Sequence, residues 1–349
     1  MTDGEIISRS LTAVGAGGGE VFLVKKSGRV LLALPHEKEA ALVALRLYQP
    51  QRVVAKVFVW FVAFAFQLGL QRFFLRRVSV AATSLEKGEE MPKIDQGTAG
   101  VLIGNPDHLI RRAIISFRGK NGFEVAKVAF GKEGVDLIDG EAGKIISLPK
   151  NLSGIPTVLG IHHRDDVGVM RMPHFRGQFL DARDEEAYIT LLTGWLLAES
   201  SCVLGDFPEW ETIERVLSTR SNGMAVLEGL KCLRLRPAVR HGDFAPWNLI
   251  RDERGEILAL DWEWGEPRGV PGFDLIHYLT QDLRLVQRLN PSEVVAGVEE
   301  ALEKDLFSQY LKQTGWDGAH RKLFIAAMAF SMGSGMAGLE EILESLLSR

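Results

Sequence analysis

The chain has 349 residues, 46% of them hydrophobic and 25% charged, with a formal charge of -4 at neutral pH. That is the composition of a soluble globular protein with room for two or three packed units, and its charge gives no case for nucleic acid as the main partner. Cys202 and Cys232 lie 30 residues apart without His or Cys at metal-ligand spacing, which argues against a zinc site and a disulfide framework and fits a reducing cytoplasm.

The N-terminus, Met1-Thr2-Asp3-Gly4-Glu5, is acidic and lacks an apolar core, so no secretory signal is expected. Residues 1–95 read as an N-terminal extension. Within it, apolar runs at 21–24 and 30–34 flank Ser27-Gly28-Arg29 and predict a hairpin, and the spacing over 37–47 predicts a helix that ends before Pro50. The run 57–66 has no charged or strongly polar side chain, and Leu68, Leu70, Phe73 and Phe74 extend it. Between Gln51 and Val80 stand Arg52, Lys56, Arg72, Arg76 and Arg77, with no acidic residue. Three readings stay open here. One is a spanning helix, for which the run is well short of the ~20 residues needed. Another is a helix on an anionic membrane surface, giving peripheral membrane contact through residues 52–78. The third is a helix docked into the protein's own core or a dimer interface. Residues 82–98 are polar and read as a linker.

Beyond the linker, strands are predicted at 101–103 and 110–117, on either side of Gly104-Asn105-Pro106-Asp107, and at 123–128 after a strong turn signal. The last of these carries Lys127, which is costly to desolvate inside an apolar strand unless it is paired. Leu137, Ile138, Ile145 and Leu148 imply a helix bearing Glu141, which Pro149 ends. Strands are expected at 155–159 and 167–172, with His163-Arg164-Asp165 in the turn between them. From Asp184 onward the pattern is mostly helical: 185–199, 209–217, 224–232 and several helices after Pro291.

The most informative stretch is His241-Gly242-Asp243-Phe244-Ala245-Pro246-Trp247-Asn248, followed by a predicted hairpin, 249–250 with 257–260, and then Asp261-Trp262-Glu263. Transfer of a phosphoryl group from a magnesium nucleotide requires such a set. Asp243 would accept a hydrogen bond from the acceptor hydroxyl and take its proton as the bond to phosphorus forms. Asn248 and Asp261 are hard oxygen ligands, suited to the Mg2+ that bridges the phosphates.

At these residues the chain resembles the aminoglycoside phosphotransferase and choline kinase-like families, relatives of the protein kinases. They carry His-Gly-Asp, four residues, Asn, and later Asp-Trp-Glu at a strand end. The resemblance covers roughly residues 96–349 and implies an α+β, two-lobed protein kinase-like fold, with a small antiparallel-sheet N-lobe at 96–173, a mostly helical C-lobe at 174–349, and ATP or another nucleoside triphosphate in the cleft. It implies that His241 and Asp274 support the catalytic loop, and that Lys127, oriented by Glu141, holds the phosphates. It also places a phosphate-covering turn at Gly104 and Asn105, and an adenine-binding hinge at Met172 and His174. His163-Arg164-Asp165 repeats a protein-kinase tripeptide, but Met170 stands where such a loop needs asparagine, so it reads as a decoy.

The resemblance implies an ATP-dependent phosphotransferase acting on an alcohol group. Only about a dozen residues separate Asp261 from Asp274, leaving no room for a peptide-docking segment, so a small molecule or glycan is favoured over a protein as acceptor. The wording of the motif, with residues 47–50 and the Gly104-Asn105-Pro106 strand end, is also similar to proteins associated with bacterial polysaccharide synthesis, which points to a sugar or lipid-linked saccharide. Two alternatives stay open: a catalytically silent nucleotide-binding scaffold at a membrane assembly, and a protein kinase.

Overall fold

The computed structural model describes residues 1–48, 50, 53–81, 94, 97–104, 110–181 and 183–348. Asn105 and most of the expected linker at 82–98 lie outside them. The chain divides into two compact units, residues 1–146 with 157–174 and residues 147–156 with 175–349.

The first unit begins with α1 (Asp3–Ala13), started by a capping box in which Thr2 and Glu5 satisfy each other's backbone N–H. β1 (Gly19–Lys26) and β2 (Arg29–Pro35) form the expected hairpin around Ser27 and Gly28, both left-handed at φ 50° and 83°. α2 (Lys38–Leu45), α3 (Val53–Gln67), α4 (Gln71–Phe74), β3 (Arg76–Val80), β4 (Gly100–Ile103), β5 (Arg112–Gly119), β6 (Gly122–Phe130), α5 (Lys132–Ser147), β7 (Gly160–Arg164) and β8 (Val167–Pro173) follow. The strands make one antiparallel sheet in the order β3-β1-β2-β4-β5-β6-β8-β7. Pairing of Leu32 with Leu102 joins the early strands to the later ones.

Strand side chains alternate between the two faces of a sheet. Val21 and Ala33 therefore join the core under α1, with Ile6, Leu11, Ile115 and Phe117, while Phe22, Val24, Leu32 and Leu34 pack with Ala44, Val62 and Phe66 of α2 and α3. Helix α3 accordingly meets the core along one side only.

The strand expected at 155–159 is absent, and β7 begins at Gly160 instead. Pro156 has no N–H to give a ladder. β7 lies at the sheet edge beside β8, so it can carry the polar His162, His163 and Arg164; the last two were expected in the turn, which instead falls at Asp165 and Asp166.

The second unit holds β9 (Gly177–Phe179), α6 (Glu185–Gly194), β10 (Cys202–Val203), α7 (Trp210–Leu217), α8 (Gly223–Lys231), β11 (Arg234–Leu235), β12 (Ala238–Arg240), β13 (Leu249–Asp252), β14 (Ile257–Ala259) and β15 (Glu266–Gly269). Then come α9 (Phe273–Gln281), α10 (Pro291–Leu302), α11 (Asp305–Thr314), α12 (His320–Gly333) and α13 (Glu340–Leu347). α6 stops five residues short of the expected 199, because Leu197 N–H turns to the Pro237 carbonyl (2.9 Å). An antiparallel-sheet unit followed by a mostly helical one is the α+β arrangement that the motif resemblance implies. Among the described residues no helix is long and apolar enough to cross a membrane.

Candidate active site

The loop that follows β12 is held from below by a single carboxylate. Asp274, in the first turn of α9, accepts the N–H of His241 at 2.7 Å on one oxygen and that of Gly242 at 3.0 Å on the other. A carboxylate at a helix N-terminus is itself favoured by the helix dipole. Gly242 is left-handed at φ 83°, and a Cβ there would stand 2.4 Å from the Trp264 carbonyl oxygen, so only glycine fits. β12 is fixed in turn by the buried Arg240–Glu209 pair (3.0 Å), and Glu209 also receives Val270 N–H at 3.2 Å.

His241 is fully buried, and both ring nitrogens are used. Its Nε2–H donates to the Leu260 carbonyl (2.8 Å), which can only accept, so Nδ1 accepts from the Asp243 N–H (3.2 Å). Burial pushes the imidazole pKa down, outweighing the attraction of Asp274 and Asp243, and keeps the ring neutral. Trp262 packs against it with ring centroids 4.6 Å apart, beside Trp195 and Phe244, all without solvent exposure.

Asp243 is half-buried and held on both oxygens. Asn248 Nδ2 donates to its Oδ2 at 2.9 Å and to its main-chain carbonyl at 2.8 Å, and His277 Nε2 lies 3.0 Å from its Oδ1. An ionised carboxylate only accepts, so His277 carries the proton on Nε2. Each Asp243 oxygen keeps a lone pair for an incoming hydroxyl. With the Asn248 amide nitrogen doubly committed, its carbonyl oxygen is left as a ligand.

Asp261 follows β14 in a left-handed conformation, φ 68°, rare for a residue with a side chain. The preceding Leu260 N–H bonds the Asn248 main-chain carbonyl at 2.7 Å, which brings the hairpin end beside the loop and leaves the side-chain amide oxygen out of that bond. No group of three or more His, Cys, Asp or Glu suited to a metal occurs among the described residues. One carboxylate and one amide oxygen still fit magnesium, which usually takes one or two protein ligands and fills its octahedron with water and phosphate oxygens.

The remaining predicted residues belong to the first unit. Lys127 in β6 and Glu141 in α5 form the expected pair at 2.5 Å, with Glu141 buried. Gly104 N–H bonds the Arg112 carbonyl (2.9 Å), closing the β4–β5 connection. Met172 is in β8, opposite Val125, and His174 N–H is committed to the Phe123 carbonyl (3.0 Å), so an adenine contact from His174 needs another group. His163 bonds Asp139 at 2.7 Å at the sheet edge, within the first unit.

His277 is absent from the sequence reading. Its signal was the spacing Asp274-Leu275-Ile276-His277, since residues three apart share a helix face. With Asp274 on the loop backbone, the next turn reaches Asp243.

No protein-family model matches the chain, and no curated protein does. Solved structures do. The aminoglycoside phosphotransferase APH(4)-Ia is 11% identical, with a TM-score of 0.45 over 71% of this chain and 91% of its own. An ethanolamine kinase from Plasmodium vivax is 12% identical, at 0.42 over 71% and 80%. An aminoglycoside-3'-phosphotransferase of type VIII is 16% identical, at 0.37 over 61% and 88%.

Proposed function

We propose that this chain is a small-molecule kinase that moves the terminal phosphoryl group of ATP to an alcohol group. The observation that carries the reading is the Asp243 carboxylate, oriented by Asn248 on one oxygen and by His277 on the other while Asp274 pins the loop beneath it. In the transfer the acceptor oxygen forms its bond to phosphorus as the bond to the bridging oxygen breaks. The hydroxyl proton passes to Asp243, and ADP leaves. Asn248 thus does two things, steering the base through its nitrogen and offering its oxygen, with Asp261, to Mg2+. The metal, when bound, neutralises phosphate charge. Lys127, oriented by Glu141, serves the phosphates, with the Gly104 turn beside them and Met172 and His174 toward the adenine.

Residues 262–273 support a small acceptor. A turn closed by Gly265 N–H on the Trp262 carbonyl (2.9 Å) and strand β15, paired with β12, consume that segment. The second unit also has a cavity of about 610 Å³, whose lining includes Tyr188, Tyr278, Asp181, Asp282 and Glu300. Aromatic faces and carboxylates suit the many hydroxyls of a sugar or lipid-linked saccharide. A cytoplasmic protein at the inner face of a membrane, touching it through residues 52–78, would meet a lipid-linked acceptor there.

Asp243→Asn is expected to cut transfer about 10²–10⁴-fold, as for loss of a general base, while nucleotide affinity stays within about tenfold. Undiminished single-turnover transfer would refute the base. ATP with Mg2+ should raise the melting temperature by several degrees, and Asp261→Ala should abolish that shift. An unchanged magnesium-dependent shift in the variant would remove Asp261 from the metal site.

A further inference from the structure

The outer side of α3 is built like an inner one. A surface helix of a globular protein keeps polar residues outward. At about 100° per residue, Val59, Val62, Ala63 and Phe66 of α3 fall on the side that meets the core. The opposite side, roughly 160° of arc, presents Val54, Val57, Phe58, Trp60, Phe61 and Phe64, between 38% and 82% exposed, with only the small Ala65 buried near its edge. α4 extends this surface with Phe73 and Phe74, 68% and 56% exposed, and Phe74 stands edge-on to Phe61 at 5.0 Å. The aromatic side chains alone present on the order of 600 Å², at the top of the range for the largest apolar patch on a monomer.

Charge identifies what covers it. Lys56 of α3 and Arg72 of α4 stand among these side chains, are exposed, and have no carboxylate partner among the described residues; the Arg72 guanidinium lies over the Phe73 ring at 5.0 Å. Residues 51–80 contain no acidic side chain. A second copy of this chain, packed by a two-fold axis on the same surface, would bring these cations against each other. A bilayer with anionic headgroups would not. α3 has 15 residues, about 22 Å of helix, too short for a ~30 Å hydrocarbon core, and its other side is committed to the protein.

We propose that α3 and α4 form a membrane-docking face that lies flat in the headgroup boundary of an anionic bilayer. The aromatic side chains enter the acyl region, and Lys56 and Arg72 sit at the phosphates. This gives the membrane contact in the functional reading a surface and a lipid charge, and it stands without any nucleotide chemistry.

The test is co-sedimentation of the full chain with phosphatidylcholine vesicles and with vesicles that also contain phosphatidylglycerol, at low and high salt and without nucleotide. The chain should pellet with the anionic vesicles only, and salt should release it. Lys56→Ser and Arg72→Ser should each weaken binding about fivefold. Trp60→Ser combined with Phe64→Ser should abolish it with the far-ultraviolet circular dichroism unchanged, because both side chains point outward. Equal binding to both kinds of vesicle, or full binding by the Trp60/Phe64 variant, would overturn the proposal. So would a dimer that the same variant disperses in a chain that ignores vesicles, which would make a second copy the occupant. With no nucleotide present, loss of vesicle binding counts against this face alone, and loss of phosphoryl transfer against the kinase reading alone.

Discussion

Helix α3 turns Trp60, Phe61 and Phe64 to solvent, whereas α9 buries all nine of its residues, Asp274 and His277 among them. Each helix runs against the ordinary rule that apolar groups go in and polar groups stay out, and each does so at a place read as functional. The two exceptions have different physical remedies. A buried carboxylate or imidazole is tolerable when specific hydrogen bonds replace water, and Asp274 and His277 find theirs on the Asp243 loop. An exposed aromatic face has no internal remedy, so its partner lies outside the chain.

The sharpest way to break the comparison is to cut α3 on its inner side. Phe66→Ala, at a position 2% exposed, should cost about 3–5 kcal/mol in denaturant unfolding. A cost near zero would mean α3 is not docked at all. On α9, Asp274→Ala leaves the buried His241 N–H and the half-buried Gly242 N–H unpaired and should cost about 2–4 kcal/mol, with transfer lost as the loop relaxes. A folded, fully active variant would show that the loop does not need this brace.

Acid should test the polar core next. The His241 pKa is lowered in the folded state, so the protonated ring is tolerated only in the unfolded chain. Its contribution to stability is present above the unfolded value of about 6.5 and is lost as pH falls below it, by at most about 1.4 kcal/mol per pH unit. Unfolding midpoints between pH 8 and pH 5, with NMR of the imidazole, would check this. A His241 ring that titrates near 6.5 in the folded protein would sink it. The smallest effect belongs to the outer side of α3, where Phe64→Ser should change stability by no more than about 0.5 kcal/mol. A loss as large as that at Phe66 would place Phe64 in a core.

Much of the site was legible because it is local. His241 to Asn248 lie on one loop, and the chemistry of an aspartate, an asparagine and a later aspartate at those spacings points to phosphoryl transfer before any fold is known. Lys127 was legible as needing a partner, since a charged residue in an apolar strand is costly unpaired, and the family resemblance pointed to Glu141 as that partner. The strand expected at 155–159 failed because an apolar run says nothing about where N–H groups are available, and Pro156 removes one. His277 was missed because its role depends on how α9 meets the loop, which is a matter of packing.

The sequence by itself determined the β1–β2 hairpin with its turn at Ser27-Gly28, the loop that carries Asp243 and Asn248, and the presence of an apolar run with basic flanks. These follow from residue chemistry and from spacings of two to five positions. Only the tertiary structure decided that Asp274 bonds the loop backbone, that His277 steers Asp243, that β2 pairs with β4 across 70 residues of chain, and which side of α3 is left uncovered. Those depend on contacts between residues distant in sequence, and an apolar helix carries no mark of which of its sides will find a neighbour.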